Sequence, residues 1–273
     1  MSLKQIHESG QAFRWIALSE DEYIAIHEDK WVRVKQEKDH LNFKHASKRE
    51  LSKVWTAYFD LDRDYSSIRK SYRGLDGYLD EAMDYGEGIR ILKQDLLEII
   101  ITFIISANNH IPRIKMSIEK ISRFAGRRLG EVEGKEILAF PTLEALTRIG
   151  DEQWAQVKLG YREAYIRKSL QAIKNKEVDL KKLEKMNTLD AKKELMKLSG
   201  VGDKVADCIL LYGMGRMDTF PVDVWMKRVM NRHYNVPEDE SIRMIRQKGM
   251  EVFGETAGIA QQYLFYYERM KGR

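Results

Sequence analysis

The sequence predicts an α+β protein in which an antiparallel sheet domain is followed by an all-helical domain. Apolar and polar residues alternate over 32–35 and 40–44, and polar turns separate these runs, which is typical of a sheet with one face in water. In the second part of the chain, apolar residues recur with helical spacing instead. We place the boundary near Tyr85, with a sheet domain over 1–85 and a helical domain over 86–273.

The composition narrows the class of protein. The 273 residues, of which 43% are hydrophobic, suffice for one large or two modest domains with a real core. The net charge is +5, and the surplus is concentrated over 158–204, where lysine and arginine clearly outnumber aspartate and glutamate. A basic segment of this kind suits a phosphate backbone, although the same charges also occur on solvated helix faces.

Several classes of site and location are excluded by what the sequence lacks. Cys208 is the only cysteine, which rules out an intrachain disulfide, a four-cysteine iron–sulfur cluster and a cysteine-rich zinc site. We predict no metal and no cofactor. The apolar run over 96–105 contains Glu98 and is too short to span a bilayer, and the first residues lack a signal-peptide core. We therefore expect an intracellular monomer with no membrane partner.

The helical part is expected to begin after a loop-rich passage marked by glycines at 74, 77, 86 and 88. Asp95 has the position of an N-cap for an apolar helix that runs to Ser106. That helix is followed by Asn108 and Asn109, and asparagine is a common residue at the end of a helix. Both asparagines are therefore explained by structure alone, before any comparison with a family.

The glycine-rich turn over 198–202 (LSGVG) organises the second half of the chain. Downstream of it, apolar residues recur at i, i+3, i+4 and i+7, namely Val205, Cys208, Ile209 and Tyr212. Gly200 and Gly202 let the backbone approach a ligand closely, and the free N–H groups at the start of the next helix favour an anion. This is a helix-hairpin-helix signature, with Gly200, Val201 and Gly202 as the predicted phosphate-binding residues.

Two residues beside the turn can carry chemistry. Lys204 lies in the first turn of the second helix, where the helix N-terminus disfavours positive charge and so favours a neutral, nucleophilic amine. Asp223 is placed to cap a helix over 224–233, and a returning loop would bring it beside Lys204. There a carboxylate can move the proton of the amine and stabilise a cationic sugar. The alternative is a helix-hairpin-helix that binds DNA and catalyses no reaction.

The pattern LxGVGxKVADC…PVD resembles the helix-hairpin-helix DNA glycosylases, and more narrowly the 8-oxoguanine DNA glycosylase/lyase family. The resemblance implies a base-excision-repair enzyme that flips 8-oxoguanine out of duplex DNA and cleaves its N-glycosidic bond through a Schiff base on Lys204. Asp223 would assist, and a β-elimination that nicks the strand can follow. The implied partner is double-stranded DNA with 8-oxoguanine opposite cytosine. The alternatives are an alkyl-base DNA glycosylase, which generally lacks the hairpin lysine, and a non-catalytic DNA-binding protein.

The resemblance also implies a base pocket. Gly10, in the stretch SGQAFRW, matches a glycine whose carbonyl reaches the damaged base. Gln261 and Phe265 lie four residues apart on the C-terminal helix and match residues that recognise the edge of the base and stack on its plane. Cys208 matches the other side of this stack, although from its own helix position it would be a core residue.

A second group of matches concerns the DNA left behind when the base is flipped. Asn108 matches an asparagine that fills the vacated space, and Tyr161 matches an aromatic wedge. Arg113 and Arg162 match two arginines that read the opposite cytosine, whose acceptor-rich edge suits planar guanidinium donors. The alternative for either arginine is a phosphate contact that carries no base preference.

The chain departs from the eukaryotic members of the family at two positions. His110 stands where they have a third asparagine, and Trp225 stands where they have a histidine two residues after the catalytic aspartate. The second departure puts a phosphate contact through an imidazole in doubt, because an indole offers one N–H donor and otherwise packs.

Overall fold

The computed structural model describes residues 1–38 and 40–272. One sheet has the strands β1 (Ile16–Ala17), β2 (Glu22–His27), β3 (Lys30–Glu37) and β4 (His40–Lys44). These strands pair antiparallel in sequence order, with Val34 opposite both Tyr23 and Phe43. A separate antiparallel hairpin has the strands β5 (Arg128–Val132) and β6 (Lys135–Leu138).

The remaining secondary structure is helical. The helices are α1 (Leu3–Glu8), α2 (Lys48–Glu50), α3 (Thr56–Tyr58), α4 (Tyr65–Tyr72), α5 (Gly77–Tyr85), α6 (Leu96–Ser106), α7 (Ile111–Ala125), α8 (Leu143–Leu146), α9 (Asp151–Val157), α10 (Arg162–Lys174), α11 (Leu180–Leu183), α12 (Thr188–Leu195), α13 (Asp203–Met214), α14 (Val224–His233), α15 (Ile242–Phe253) and α16 (Ala257–Lys271). A π-helical turn over Leu51–Trp55 joins α2 to α3, and a 3-10 turn over Gly254–Thr256 joins α15 to α16. Within the part of the chain that the structure describes, no helix is both long and apolar enough to cross a membrane.

The predicted fold class, an antiparallel sheet domain followed by a helical domain with a helix-hairpin-helix, is confirmed. The helical part differs from the prediction in one feature, because the β5–β6 hairpin interrupts it. The sheet face expected to be wet is exposed or half-exposed on β3 and β4, at Arg33, Lys35 and Lys44, and the hairpin covers it only on β2. Ile24 and Ile26 point away from the main core of the sheet and are buried against Ile137 of β6. A segment more than one hundred residues downstream thus covers the β2 part of this face.

Side chains of the segment before Tyr85 contribute to two cores. Tyr23 and Val34 pack with Trp55 and Phe59 under the sheet. Residues of α4 and α5 instead join the large helical core, and the Tyr72 hydroxyl donates a 2.8 Å hydrogen bond to the Phe253 carbonyl beside α16. The placement of a domain boundary near Tyr85 stays a prediction.

Local capping chemistry sets the helices that frame the site. Asp95 caps α6 by accepting a 2.7 Å hydrogen bond from the Glu98 amide, as predicted, and α6 ends at Ser106. The apolar α6 is buried along its length and packs against α13. This contact holds α13, which carries Lys204, against α6, the most buried helix of the helical part.

Candidate active site

The turn before α13 packs against α10. Gly200 has φ +82°, and a Cβ at this position would lie 2.9 Å from Tyr165 Cδ2, so only glycine fits. One turn further along α10, the Ser169 hydroxyl donates a 2.9 Å hydrogen bond to the Ser199 carbonyl. These two contacts fix the position of the hairpin turn against α10.

The start of α13 is open on its outer side. Gly202 is the N-cap and provides no side-chain hydrogen bond, and a Cβ built on it meets no atom within 4 Å. Val201 is buried and anchors the turn to the core. Among the residues that the structure describes, no side chain caps or covers the start of α13 at Gly202, so this helix N-terminus has room for an anion.

A cavity of about 700 Å³ lies in front of α13. The predicted site residues that line it are Gly10, Asn108, Lys204, Cys208, Asp223, Gln261 and Phe265. They come from both ends of the sequence and from the hairpin between, so the fold brings together the base-pocket and catalytic residues expected from the resemblance. Arg113, Tyr161 and Arg162 are not among the residues that line this cavity.

Lys204 lies in the first turn of α13, as predicted. Its ammonium nitrogen is 5.2 Å from the centroid of the Phe103 ring on α6, and its charge acts on the Cys208 thiol one turn further along α13. The lysine is half-buried, and its charge acts on the carboxyl of Asp223. The amine thus lies over an aromatic ring, within electrostatic range of the Cys208 thiol and the Asp223 carboxyl.

Asp223 caps α14, which confirms its predicted local role. Its Oδ1 accepts hydrogen bonds from the amides of Trp225 (3.0 Å) and Met226 (2.9 Å). Burial raises the pKa of this carboxyl above its ordinary value, while the Met226 amide and the charge of Lys204 oppose that rise. Capping uses one carboxyl oxygen for both bonds, so it does not engage Oδ2.

The residues predicted to enclose a base lie on two walls of the cavity. Burial raises the pKa of the Cys208 thiol to about 11, so this wall is neutral at physiological pH. Gln261 is 4% exposed, and among residues 1–38 and 40–272 none donates a hydrogen bond to its Oε1. A buried amide oxygen without a donor is costly, and it is relieved by a ligand that brings an N–H group.

Gly10 lies against the same helix as Gln261. It has φ +81°, and a Cβ at this position would be 2.9 Å from Arg269 Nη1 and 3.3 Å from Phe265 Cε1. A side chain here would therefore collide with the cavity wall as well as strain the backbone.

The residues expected beside the opposite base form a separate group. Tyr161 is 51% exposed, with the Arg162 guanidinium 4.6 Å from its ring centroid. Arg162 itself is buried, and it donates hydrogen bonds to the carbonyls of Ala107 (2.7 Å), Asn108 (2.7 Å) and Leu159 (3.2 Å). In this chain without DNA, the Arg162 guanidinium is therefore occupied with the backbone of the Asn108 loop.

The second arginine of this group is also tied to a backbone carbonyl. Arg113 is exposed and donates a 3.2 Å hydrogen bond to the carbonyl of Lys158. Asn109 is a structural residue, as expected, because its side chain donates to the Ile105 carbonyl and accepts from the His110 amide.

Sequence reasoning did not assign Phe103, Tyr212 or Arg269 to the site and left the role of Trp225 open, and all four residues line the cavity. Helical spacing contained a signal for two of them. Tyr212 follows Cys208 by four residues on α13, and Arg269 follows Phe265 by four residues on α16.

One lysine of the basic segment over 158–204 has a structural role. Lys192 is 6% exposed and pairs with Asp203 (2.9 Å) and with the buried Asp207 (3.1 Å), whose Oδ2 also accepts from Arg246 (2.7 Å). Lys192 therefore ties α12 to α13 and is not a surface charge facing phosphate.

Comparisons with known proteins agree with this geometry. The family model for the N-terminal domain of 8-oxoguanine DNA glycosylase matches residues 1–100, and the model for the HhH-GPD superfamily of base excision DNA repair proteins matches residues 101–255. A probable N-glycosylase/DNA lyase of Methanothermobacter thermautotrophicus is 32% identical over 245 residues, which cover 82% of this chain and 76% of the relative.

Solved structures extend the comparison to the fold. The Clostridium acetobutylicum 8-oxoguanine glycosylase/lyase, in complex with double-stranded DNA that has cytosine opposite 8-oxoG, is 40% identical with a TM-score of 0.94. That match covers 100% of this chain and 93% of the other. The 3-methyladenine DNA-glycosylase of Archaeoglobus fulgidus is 21% identical with a TM-score of 0.77, over 98% of this chain and 94% of that one, and shares the fold. The chain therefore belongs to the HhH-GPD superfamily of base excision DNA repair proteins and, within it, to the 8-oxoguanine DNA glycosylase/lyase family.

Proposed function

We propose that this DNA glycosylase/lyase excises 8-oxoguanine from duplex DNA in the cavity in front of α13, with Lys204 as the nucleophile and Asp223 as its proton carrier. The observation that carries the proposal is that Lys204, Asp223 and Gln261 line one cavity. An amine, a carboxylate and an amide that can bind the edge of a purine are the groups that this reaction needs in one place.

The reaction follows from the position of the amine. The Lys204 amine attacks the anomeric carbon of the flipped nucleotide, and the bond to the base breaks with its electron pair leaving on the base. Loss of a proton from the nitrogen and opening of the sugar give a Schiff base. Removal of a proton from C2′ then allows β-elimination, in which the 3′ carbon–oxygen bond breaks and the phosphate leaves. The Asp223 carboxylate, whose pKa burial raises, accepts and returns protons and stabilises positive charge on the sugar.

The base is held between two uncharged side chains. Phe265 presents a ring, and the protonated Cys208 thiol presents a polarisable surface opposite to it. The unfilled Gln261 Oε1 accepts from an N–H group on the pairing edge of a guanine-like base. These contacts favour guanine and 8-oxoguanine alike, because the two bases share that edge.

Discrimination between the two bases needs an acceptor near N7. The N7 of 8-oxoguanine carries a hydrogen and donates, whereas the N7 of guanine accepts. Gly10 lines the cavity. Its carbonyl is the acceptor in our proposal, because a backbone carbonyl cannot rotate into a donor. A site built around such a hydrogen bond rejects an analogue without it by a factor on the order of 10⁴.

Cytosine is the opposite base in our proposal. Tyr161 wedges into the duplex, Asn108 fills the space of the flipped nucleotide, and Arg113 and Arg162 donate to cytosine. Because carbonyls of this chain occupy both guanidinium groups, the arginines exchange these acceptors for cytosine when DNA binds. While the arginines exchange these acceptors, the exposed start of α13 at Gly202 binds a phosphate of the DNA backbone.

The test is a single-turnover excision assay on duplexes that carry 8-oxoguanine, guanine, an alkylated purine or an abasic site, each with four opposite bases. The proposal predicts release of 8-oxoguanine, fastest opposite cytosine, with a covalent adduct when borohydride is added. An alkyl-base glycosylase would release the alkylated purine without an adduct. A non-catalytic DNA-binding protein would bind the duplexes and release nothing.

A further inference from the structure

The two peptide carbonyls that precede Gly10 are both held by side chains of α16. Gln262 Nε2 donates a 2.9 Å hydrogen bond to the Ser9 carbonyl, and Arg269 Nη2 donates to the Glu8 carbonyl. Gln262 is fully buried and Arg269 is 7% exposed. Two consecutive carbonyls at the C-terminal end of α1 are thus fixed by side-chain donors from a helix some 250 residues away in sequence.

Both donors lie on the side of α16 that carries Phe265. Gln262, Phe265 and Arg269 follow the spacing i, i+3 and i+7, which places them on one side of a helix. The Arg269 guanidinium is 5.3 Å from the centroid of the Phe265 ring. The Gly10 segment and the ring proposed to stack on the base are therefore fastened to the same side of one helix.

Gln262 also connects this segment to the catalytic helix. Its Oε1 accepts a hydrogen bond from the hydroxyl of Tyr212, which lies on α13 about two turns after Lys204. Both polar atoms of the buried Gln262 amide are therefore used, one towards α13 and one towards Ser9.

The other side of the segment is held by Gln11. Its Nε2 donates to the Ser9 hydroxyl and to the Arg90 carbonyl, both over 2.9 Å, and its Oε1 accepts from the Leu92 amide over 2.8 Å. The residues on both sides of Gly10 are thus fixed by buried amide side chains. Gly10 lies between these residues with φ +81°, and without their contacts its backbone would be the most mobile of this segment, because it has no side chain.

We propose that Gln262 and Arg269 are positioning residues for lesion specificity, because they hold the Gly10 carbonyl where it can meet the N7–H of 8-oxoguanine. The inference rests on the proposed function of Gly10. A hydrogen bond weakens steeply as its angle and distance change, and a displacement of 1 Å can lower a rate by about a hundredfold. An acceptor on a loose glycine would not separate a base that donates at N7 from one that accepts there.

The experiment compares Gln262→Met and Arg269→Met with the wild type in two reactions. One is single-turnover excision of 8-oxoguanine opposite cytosine, and the other is strand cleavage at a preformed abasic site, which has no base to recognise. We expect excision to fall by about tenfold to a hundredfold while abasic cleavage stays near the wild-type rate. Arg269→Lys, which keeps a donor for the Glu8 carbonyl, should restore most of the excision.

Tyr266→Phe is the matched control on the same helix. The Tyr266 hydroxyl donates a 3.2 Å hydrogen bond to the Glu8 carboxylate, not to a backbone carbonyl, so its loss should leave both reactions unchanged. Binding is measured in the Lys204→Gln background on duplexes with 8-oxoguanine, guanine or an abasic-site analogue. Adding Gln262→Met should reduce the preference for 8-oxoguanine over guanine and leave binding to the abasic analogue unchanged.

The outcomes separate this inference from the proposed function. If the wild type itself shows no preference for 8-oxoguanine, the proposed function fails. If the wild type is selective and both methionine variants keep that selectivity, Gln262 and Arg269 do not set it. If the methionine variants lose excision and abasic cleavage in the same proportion, these residues only support the fold and the inference is overturned. The inference is likewise overturned if the methionine variants do not fold and Arg269→Lys loses excision and abasic cleavage in the same proportion.

Discussion

The two ends of the site differ in how their charged groups are held. At the catalytic end, Lys204 and Asp223 line the cavity beside Cys208, and the cap bonds of Asp223 leave its Oδ2 unengaged. At the opposite-base end, the guanidinium groups of Arg113 and Arg162 donate to carbonyls of this chain. Under our proposal, the catalytic end is therefore complete before DNA arrives, whereas the opposite-base end has to exchange partners.

This difference teaches where selectivity and rate originate. Groups placed in advance lower the barrier without reorganisation during the reaction, which is the source of most electrostatic catalysis. Arginines that first leave backbone acceptors make binding of the wrong partner less favourable, because those hydrogen bonds are then lost without replacement. We expect changes at the first end to alter rate, and changes at the second end to alter preference for the opposite base.

The largest effect is expected for Lys204→Gln, which should abolish both base release and borohydride trapping while lesion binding remains. The amine is the nucleophile in our mechanism, and glutamine cannot form the Schiff base. Lys197→Gln is the matched control, because it removes an exposed lysine of the same basic segment that pairs with Glu194. Ordinary excision by Lys204→Gln would refute the mechanism.

The next effect is expected for Asp223→Asn. Asparagine caps helices about as well as aspartate, so α14 should keep its stability, and the loss should appear in the single-turnover rate as a fall of about 10²–10⁴-fold. Asp223→Ala separates the two roles, because it also removes the cap and should cost roughly 0.5–2 kcal/mol of stability in thermal melts. A rate near the wild type in Asp223→Asn would mean that the residue only caps α14.

At the opposite-base end, Arg113→Ala and Arg162→Ala should relax the preference for cytosine by about 1–3 kcal/mol each, measured as relative binding to duplexes with four opposite bases. Arg162→Ala should also lower the melting temperature, because it removes the donor to three carbonyls, whereas Arg113→Ala should not. Equal losses of affinity for all four opposite bases would show that the arginines contact phosphate instead.

A smaller effect is expected for Cys208→Ala, which should slow excision severalfold without changing its pH dependence between about pH 6 and 9. With a pKa of about 11, the thiol stays protonated throughout that range and contributes a surface, not a charge. A step in the wild-type pH–rate profile that disappears in Cys208→Ala would contradict this account.

No effect is expected from EDTA on excision at fixed salt, because the nucleophile is an amine and the proton carrier is a carboxyl group. Raising the salt concentration should weaken binding, with a linear fall of log affinity against log concentration, because basic groups displace counterions from the DNA backbone. Loss of activity in EDTA that returns with a divalent metal would contradict the lysine mechanism.

The features that sequence predicted best are those set by neighbouring residues. The caps Asp95 and Asp223 and the first-turn position of Lys204 follow from local patterns, and the structure confirms each position. The gathering of Gly10, Gln261 and Phe265 around one cavity needed the resemblance to a family, because no local pattern joins the two ends of a chain.

The features that sequence missed depend on contacts between distant residues. Gln262 and Ser9 are 253 positions apart, and Arg162 meets the Asn108 carbonyl across 54 positions. The β2 part of the outer sheet face is covered by Ile137, which no alternation within the strands could indicate. Such pairings arise from tertiary packing, where a side-chain donor reaches a backbone carbonyl that has no sequence signature.

The most direct test of the central claim is to identify the residue that becomes bound to DNA. The full chain is mixed with a duplex that carries 8-oxoguanine opposite cytosine, borohydride is added, and the adduct is digested and sequenced by mass spectrometry. The account predicts a single modified peptide with the DNA remnant on Lys204. Excision without an adduct, or an adduct on any other residue, would contradict it.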